Sequence, residues 1–349
     1  MMSTTVKSYA AFDPDSLLGD WALERRATEP KDIAIEIRYC GVCHSDLHSA
    51  KNHWGNTHYP LVPGHEIVGV VTEVGSEVTK HKVGDWVAVG CLVDSCGTCG
   101  SCHDGEEQYC ERGSIGTYGG VGRDGKPTQG GYSQKIVVVE DFVLSVPQGL
   151  DPASAAPLLC AGITSYSPLN FHKVGPGMKV GVIGLGGLGH MALKFAVAMG
   201  AEVTMFTTSE SKREEAARLG AHHVVLSTER AEMKATFNTL DLIVDTVPVP
   251  HDLGGYLRCL RRNGNLVMTG PIGLQEPPLN NGLLMMGRKA VSGSAIGGIA
   301  ETQQMLDFCA ETGVTCEIEM IAMDYINEAY ERLEKNDVHY RFVIDMATL

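Results

Sequence analysis

Four cysteines fall within fifteen residues, Cys96, Cys99, Cys102 and Cys110, in the spacing C-x2-C-x2-C-x7-C. Zinc prefers four tetrahedral ligands, and thiolates suit it. The x2 spacing lets two sulfurs point at one ion from a tight turn, and Gly97, Gly100 and Gly105 supply pliant backbone around them. Four unrelated buried thiols would be the plainer reading, but the segment is polar and glycine-rich rather than core-like. An iron–sulfur cluster also uses four thiolates, yet the spacing matches neither common ferredoxin run. Four protein ligands leave no open position, so a structural zinc is preferred.

A second set is dispersed. Cys43 lies in Gly41-Val42-Cys43-His44-Ser45-Asp46-Leu47-His48, His65 and Glu66 stand together after Gly64, and Cys160 follows Leu158-Leu159. Two thiolates and one imidazole would leave a fourth position for a substrate oxygen, the logic of a catalytic zinc. No periodicity joins the three segments. Singly, a histidine before a strand or a cysteine in an apolar run is more often a packing residue. A zinc deaminase needs H-x-E, and a zincin needs H-E-x-x-H. Here His65 and Glu66 are adjacent and position 69 is Gly69, so neither motif fits.

A third constellation follows an apolar strand, Lys179–Ile183. The run Gly184-Leu185-Gly186-Gly187-Leu188-Gly189 satisfies G-x-G-x-x-G before a helical stretch, His190–Met199. Its glycines would permit the turn, admit a pyrophosphate and let helix pack on strand. An NAD site usually carries an acid at the end of the next strand, for the ribose hydroxyls. This chain has Thr207, Thr208 and Ser209 there, then Lys212 and Arg213. Hydroxyls and positive charge suit a 2′-phosphate, so NADP is expected. Glu210 opposes it unless it points away. The competing reading is that Ser209 caps the next helix and Lys212 is merely solvated.

The elements that must position these residues change character along the chain. Residues 1–150 read as short strands, Ile33–Tyr39, Glu66–Val74, Trp86–Val89 and Gln134–Val139, separated by glycine turns. After about Asp151 strands and helices alternate: strands at Glu202–Phe206, Val224–Leu226, Asp241–Asp245 and Asn265–Thr269, and a helix at Glu210–Leu219 ended by Gly220. That alternation predicts parallel βαβ units. A helix over Glu301–Thr312 and a strand over Tyr340–Asp345 are expected to rejoin the first domain.

The whole chain has 349 residues, 44% hydrophobic and 20% charged, which is ordinary globular composition for about two domains. A net charge of −14 with no basic patch argues against a nucleic-acid role. No long apolar run or signal-like N-terminus is present, so neither a membrane nor secretion is expected and the location is expected to be cytoplasmic. Eleven cysteines, an odd number, fit a reducing compartment better than a disulfide framework.

These motifs together resemble the zinc-containing medium-chain alcohol dehydrogenases, most closely the cinnamyl alcohol dehydrogenase-type branch with its bacterial broad-range aldehyde reductases. The run Gly64-His65-Glu66-x2-Gly69-x5-Gly75-x2-Val78 fits the family's zinc signature, and similarity extends from Tyr39 to Tyr340-Arg341-Phe342-Val343-Ile344-Asp345. The resemblance implies an α/β plus β architecture: a GroES-like β catalytic domain over 1–155 and 297–349, with a Rossmann cofactor domain, a doubly wound parallel sheet, inserted at 156–296. It implies an active site in the cleft between them.

Roles follow the same resemblance. Cys43, His65 and Cys160 match the catalytic zinc ligands, Glu66 the acid beside the metal, and Asp46 the carboxylate that orients the ligand histidine. Ser45 matches the hydroxyl at the substrate oxygen and His48 the distal end of a proton relay. Cys96, Cys99, Cys102 and Cys110 match the structural zinc site. Gly184, Gly186, Gly187, Leu188 and Gly189 match the dinucleotide turn, and Thr207, Thr208, Ser209 and Lys212 the 2′-phosphate binders. Thr164 and Arg341 match further cofactor contacts. Ser49, Trp54, Asn56, Cys91 and Ile296 match the substrate pocket. The implied reaction is reversible hydride transfer between NADP(H) and primary alcohols or aldehydes, aryl or medium alkyl, with two zinc ions per chain. Rivals are a polyol dehydrogenase, whose branch usually has Glu at the place of Cys160, and a non-enzymatic zinc-stabilised nucleotide-binding protein. A homo-oligomer is expected, a dimer before a tetramer.

Overall fold

The computed structural model describes residues 3–270 and 273–349. The chain divides into two compact units, Met1–Cys160 with Gly297–Leu349, and Ala161–Ile296. The division falls five residues beyond the boundary expected from sequence. The short 3-10 turn Ala156–Leu159 packs on strands of the first unit, and this keeps Cys160 with it.

The first unit is built on a seven-stranded sheet. Its strands lie in the order Ile318–Ala322, Arg341–Asp345, Asp32–Val42, Ile67–Val74, Trp86–Val89, Leu144–Ser145, with Lys135–Val139 also paired to Asp32–Val42. The alternation read in IAIEIRY is real: Ile33, Ile35 and Ile37 are buried while Glu36 and Arg38 face outward. Among the features not read from sequence are the hairpin Thr4–Ala10/Gly19–Arg25, the helix His44–Ala50, the strand Ile318–Ala322 and the amphipathic helix Ile326–Glu334. Register decides what meets what. Cys40 lies opposite Ile67, and Val42 lies opposite Phe342 of the returning tail. Antiparallel pairing therefore carries Glu66 to Gly41 and Arg341 to the end of the strand that leads into Cys43.

The second unit carries six parallel strands in the order His223–Leu226, Glu202–Thr207, Lys179–Ile183, Leu240–Asp245, Leu260–Met268, Ala290–Gly293. In sequence order this is 3-2-1-4-5-6, the doubly wound arrangement, with its switch point beside Lys179–Ile183. The dinucleotide turn leaves that strand and enters the helix Gly189–Ala198. The stretch expected as one helix from Glu210 starts as a 3-10 turn, Glu210–Lys212, and continues as Arg213–Arg218. Phe206, Ile243, Leu257, Leu260 and Leu266 are fully or almost fully buried in its core. Each such side chain contributes roughly 1.5–3 kcal/mol of transfer free energy. Among the described residues no helix is long and apolar enough to cross a membrane.

Candidate metal centres and dinucleotide site

Cys96, Cys99, Cys102 and Cys110 converge as the spacing predicts. Their Sγ atoms are 3.4 Å apart for Cys99 and Cys102, 3.9 Å for Cys96 and Cys102, and 4.0 Å for Cys99 and Cys110. A tetrahedron with metal–sulfur bonds of about 2.3 Å has edges of roughly 3.8 Å, so these thiols fit one ion. A 4Fe–4S cluster would set each thiolate on a different iron, and a 2Fe–2S cluster would set two on each of two irons, so either would spread the four further. Backbone amides face the sulfurs: Cys96 N–H donates to Cys110 at 3.5 Å, Thr98 N–H to Cys96 at 3.5 Å and Glu111 N–H to Cys99 at 3.4 Å. The Thr98 amide is the main reason the Cys96 thiol is drawn down to about 6.

Cys43, His65, Glu66 and Cys160 form the second group, with one donor atom from each lying within 4.8 Å of the others. The dispersed set is thus brought together by the fold. Cys43 caps the helix His44–Ala50, and His65 and Glu66 stand just before the strand Ile67–Val74. Cys160 ends the turn Ala156–Leu159, its Sγ 3.9 Å from that of Cys43. Contact with Cys160 draws the Cys43 thiol well down, and the charge of Arg341 acts in the same direction. Two soft sulfurs, an imidazole and a nearby carboxylate make a donor set that suits zinc.

Asp46 organises this group. It is fully buried and accepts four hydrogen bonds: from Cys43 N–H at 2.8 Å, Gly64 N–H at 3.0 Å, His65 Nδ1 at 3.0 Å and the Tyr132 hydroxyl at 3.4 Å. A carboxylate at Nδ1 fixes the hydrogen on that nitrogen and leaves the Nε2 lone pair for a metal. Tyr132 escaped the sequence reading, because nothing local ties Gly130-Gly131-Tyr132 to residue 46. Tyr118, whose ring lies 5.6 Å from that of His65, escaped for the same reason.

Glu66 is fully buried and ion-paired to Arg341. Burial pushes its carboxyl well up, while Arg341 opposes that rise. Glu66 Oε2 and Arg341 Nε have no hydrogen-bond partner. Gly41 makes room for the pair, since a Cβ there would lie 2.0 Å from Glu66 Oε2. Arg341, expected to touch a cofactor, here has its hydrogen bond to Glu66 and is 4% exposed.

Ser45 and His48 are one helical turn apart, at i and i+3, both half-buried. His48 Nδ1 lies 2.8 Å from Nδ1 of His53, a residue that sequence reading passed over. The Trp54 ring packs 5.7 Å from His48 but is 41% exposed, and Asn56 is exposed. Ser49 is buried. Cys91 is half-buried beside Cys160, unlike Cys40, Cys259, Cys309 and Cys316, which are buried in the packing. Ile296 sits in the second unit at φ +39°, a strained setting for a β-branched residue.

Gly184 has φ +89°. A Cβ at Gly186 would meet open space, the cradle a pyrophosphate needs. A Cβ at Gly189 would lie 1.7 Å from the Gly184 carbonyl oxygen, so helix and turn pack too closely for any side chain. Gly187 and Leu188 complete the turn, and Ser165, next to the buried Thr164, donates to the Leu188 carbonyl at 2.9 Å.

The next strand ends in Thr207, followed by Thr208 and Ser209, with no carboxylate among them. Lys212 Nζ donates to the Leu185 carbonyl at 2.8 Å, which docks its charge on the glycine turn. Arg213 binds both carboxylate oxygens of Glu210 at 2.9 Å and so neutralises the acid that opposed a phosphate. Ser209 occupies the cap position without a side-chain capping bond, and its hydroxyl pairs with Ser211 at 2.7 Å.

The chain is similar to known proteins in both sequence and fold. The family described as Alcohol dehydrogenase GroES-like domain matches residues 29–148, and Zinc-binding dehydrogenase matches 187–311. The chain is 53% identical to NADP-dependent alcohol dehydrogenase C 1 of Mycolicibacterium smegmatis over 99% of each chain. It is 52% identical to the mannitol dehydrogenase of Apium graveolens over 97% of this chain and 93% of that one. The CAD of Helicobacter pylori, solved with NADP(H), superposes with a TM-score of 0.92 at 43% identity, covering 99% of both chains. On these matches the chain belongs to the zinc-containing medium-chain alcohol dehydrogenases, in the branch of the NADP-dependent and cinnamyl alcohol dehydrogenases.

Proposed function

We propose that the protein is a zinc-dependent alcohol dehydrogenase and aldehyde reductase that exchanges hydride between NADP(H) and primary alcohols or aldehydes with aryl or medium alkyl chains. The convergence of Cys43, His65 and Cys160 under the control of Asp46 carries this reading. Those three residues would hold a catalytic zinc, and Cys96, Cys99, Cys102 and Cys110 a structural one. A zinc ion in the first site supplies Lewis acidity toward the substrate oxygen, and the nicotinamide supplies or accepts the hydride.

The chain's own residues do the rest. Asp46 holds the His65 ring through Nδ1. Glu66, kept beside the ligands by Arg341, adds a carboxylate to the site. During oxidation the Ser45 hydroxyl would accept the substrate proton and pass its own toward His48 by way of the cofactor ribose, and the His48–His53 pair would deliver it to solvent. Reduction runs the same path backwards. The Thr207-Thr208-Ser209 hydroxyls and Lys212 would receive a 2′-phosphate, a reading supported by the absence of a carboxylate from residues 207–209. Lys212→Ala is therefore expected to weaken NADPH binding by about tenfold or more and NADH binding by less than about twofold, measured by fluorescence titration. Equal losses for both cofactors would remove Lys212 from phosphate recognition.

The 52% identical mannitol dehydrogenase keeps a polyol substrate in view. Cys160, where the polyol branch usually has Glu, favours simple alcohols. Initial rates with benzaldehyde, hexanal and cinnamaldehyde, set against mannitol oxidation, separate the two. Faster aldehyde reduction supports the proposal, and selective mannitol turnover overturns its substrate class.

A dimer is the assembly the second unit suits best. Among the described residues the edge strand Ala290–Gly293 is paired on one side only, and Leu274, Met285 and Met286 in the chain segment that precedes it are more than four-fifths exposed. A second copy would cover these residues. Met285→Asp with Met286→Asp is expected to convert a dimer to a monomer in light scattering after gel filtration. An unchanged mass would place the interface elsewhere.

A further inference from the structure

Asp245 ends the strand Leu240–Asp245, and His251 lies in the loop that leaves it. The Asp245 side chain is fully buried. Its Oδ1 accepts the Val247 amide at 3.1 Å, while Oδ2 faces His251 Nε2 at 3.3 Å. Among the described residues neither Asp245 Oδ2 nor His251 Nε2 has a hydrogen-bond partner, and their approach is a close contact rather than a formed bond. His251 Nδ1 lies 2.9 Å from the Val249 carbonyl oxygen, so Nδ1 must carry a hydrogen. A neutral ring then turns the Nε2 lone pair toward a carboxylate oxygen. Two buried acceptors at that distance repel, and one proton placed between them would turn the contact into a charge-assisted bond. Burial also pushes the Asp245 carboxyl up, with the His251 charge opposing.

The loop this contact ties down forms one wall of the glycine turn. Thr246 donates to the Ile183 carbonyl twice, from N–H at 3.2 Å and Oγ1 at 2.7 Å. A Cβ at Gly184 would come within 3.0 Å of Val247 Cγ2 and 3.2 Å of Thr246 Oγ1. Any shift of the loop would therefore reshape the turn.

We propose that Asp245 and His251 are positioning residues for NADP(H), sharing one proton that clasps the 246–251 loop against the Gly184 turn. The proposal rests on the assignment of that turn to NADP(H). Loss of the shared proton as pH rises undoes the clasp, so NADPH affinity falls with pH. Tyr256, on the helix Gly254–Cys259, has its ring 5.9 Å from that of His251, and burial pushes its hydroxyl up. Cys259 on the same helix is pushed up to about 12 by burial. Asp252 accepts the Gly254 amide at 2.7 Å, and Glu276 neighbours Gln275, whose side-chain amide donates to the His251 carbonyl.

The test is the Kd of NADPH against pH, by nicotinamide fluorescence, for the intact protein and three variants. The native Kd is expected to rise about tenfold between about pH 6 and pH 9. In Asp245→Asn the new amide donates to Nε2 of the neutral ring, and in His251→Gln the amide donates to the carboxylate. Both are expected to bind near the native low-pH value with the clasp-dependent slope gone. His251→Ala is expected to bind about tenfold more weakly than native at low pH. Titration of the cofactor itself persists in every variant, so the difference between profiles is the readout. Native-like slopes in both amide variants, or a flat native profile, overturn the clasp alone. Failure of the native protein to bind NADPH at any pH overturns the turn's assignment as well.

Discussion

Replacing Cys43 with serine is expected to lower aldehyde reduction by about a thousandfold or more, with one zinc lost per chain and NADPH binding kept within about twofold. The size follows from losing several kcal/mol of Lewis-acid stabilisation at roughly tenfold per 1.4 kcal/mol. The selectivity follows from the fold. Cys43 belongs to the unit formed by Met1–Cys160 and Gly297–Leu349, whereas the glycine turn, Thr207 and Lys212 belong to Ala161–Ile296. Metal analysis, single-turnover kinetics and NADPH titration on one preparation check it. Full turnover with an unchanged zinc content would remove Cys43 from the ligand set.

Cys99→Ser should act on stability instead. The Cys99 thiol touches those of Cys102 and Cys110 and accepts the Glu111 amide, so it braces both ends of the 96–110 loop. Metal binding at such a site is folding free energy. Loss of several kcal/mol should lower the apparent Tm by roughly 5 °C in a protein of this size. Activity per zinc-loaded chain at low temperature should stay within about twofold, because four cysteine ligands leave no position for substrate. Calorimetry and low-temperature rates decide. An unchanged Tm with selectively lost turnover would mean that this loop takes part in the chemistry.

What the sequence disclosed depended on how local each feature was. The 96–110 cysteines and the 184–189 glycines are compact motifs, and each carries its geometry in its spacing. The alternation of Ile33, Ile35 and Ile37 and the βαβ rhythm after Asp151 were equally legible, because each element's burial pattern is written in a few residues. Cys43, His65 and Cys160 could be joined only by family resemblance, since pairing of distant strands and the turn Ala156–Leu159 bring them together. Tyr132 and Tyr118 act on the centre from an irregular glycine-rich loop without periodicity. Neither the partnership of Asp245 with His251 nor that of Arg341 with Glu66 leaves a sequence pattern. Such contacts are fixed by register and loop path, which emerge only when the whole chain is folded.

The most direct test of the account is the initial rate of NADPH oxidation with benzaldehyde before chelation, after removal of zinc, and after zinc is restored. The account predicts a rate much faster with NADPH than with NADH, lost on chelation in a protein that still binds NADPH, and regained with zinc. A folded, zinc-replete protein that binds NADPH but turns over no aldehyde, or one whose turnover survives loss of the metal at Cys43, His65 and Cys160, would contradict it.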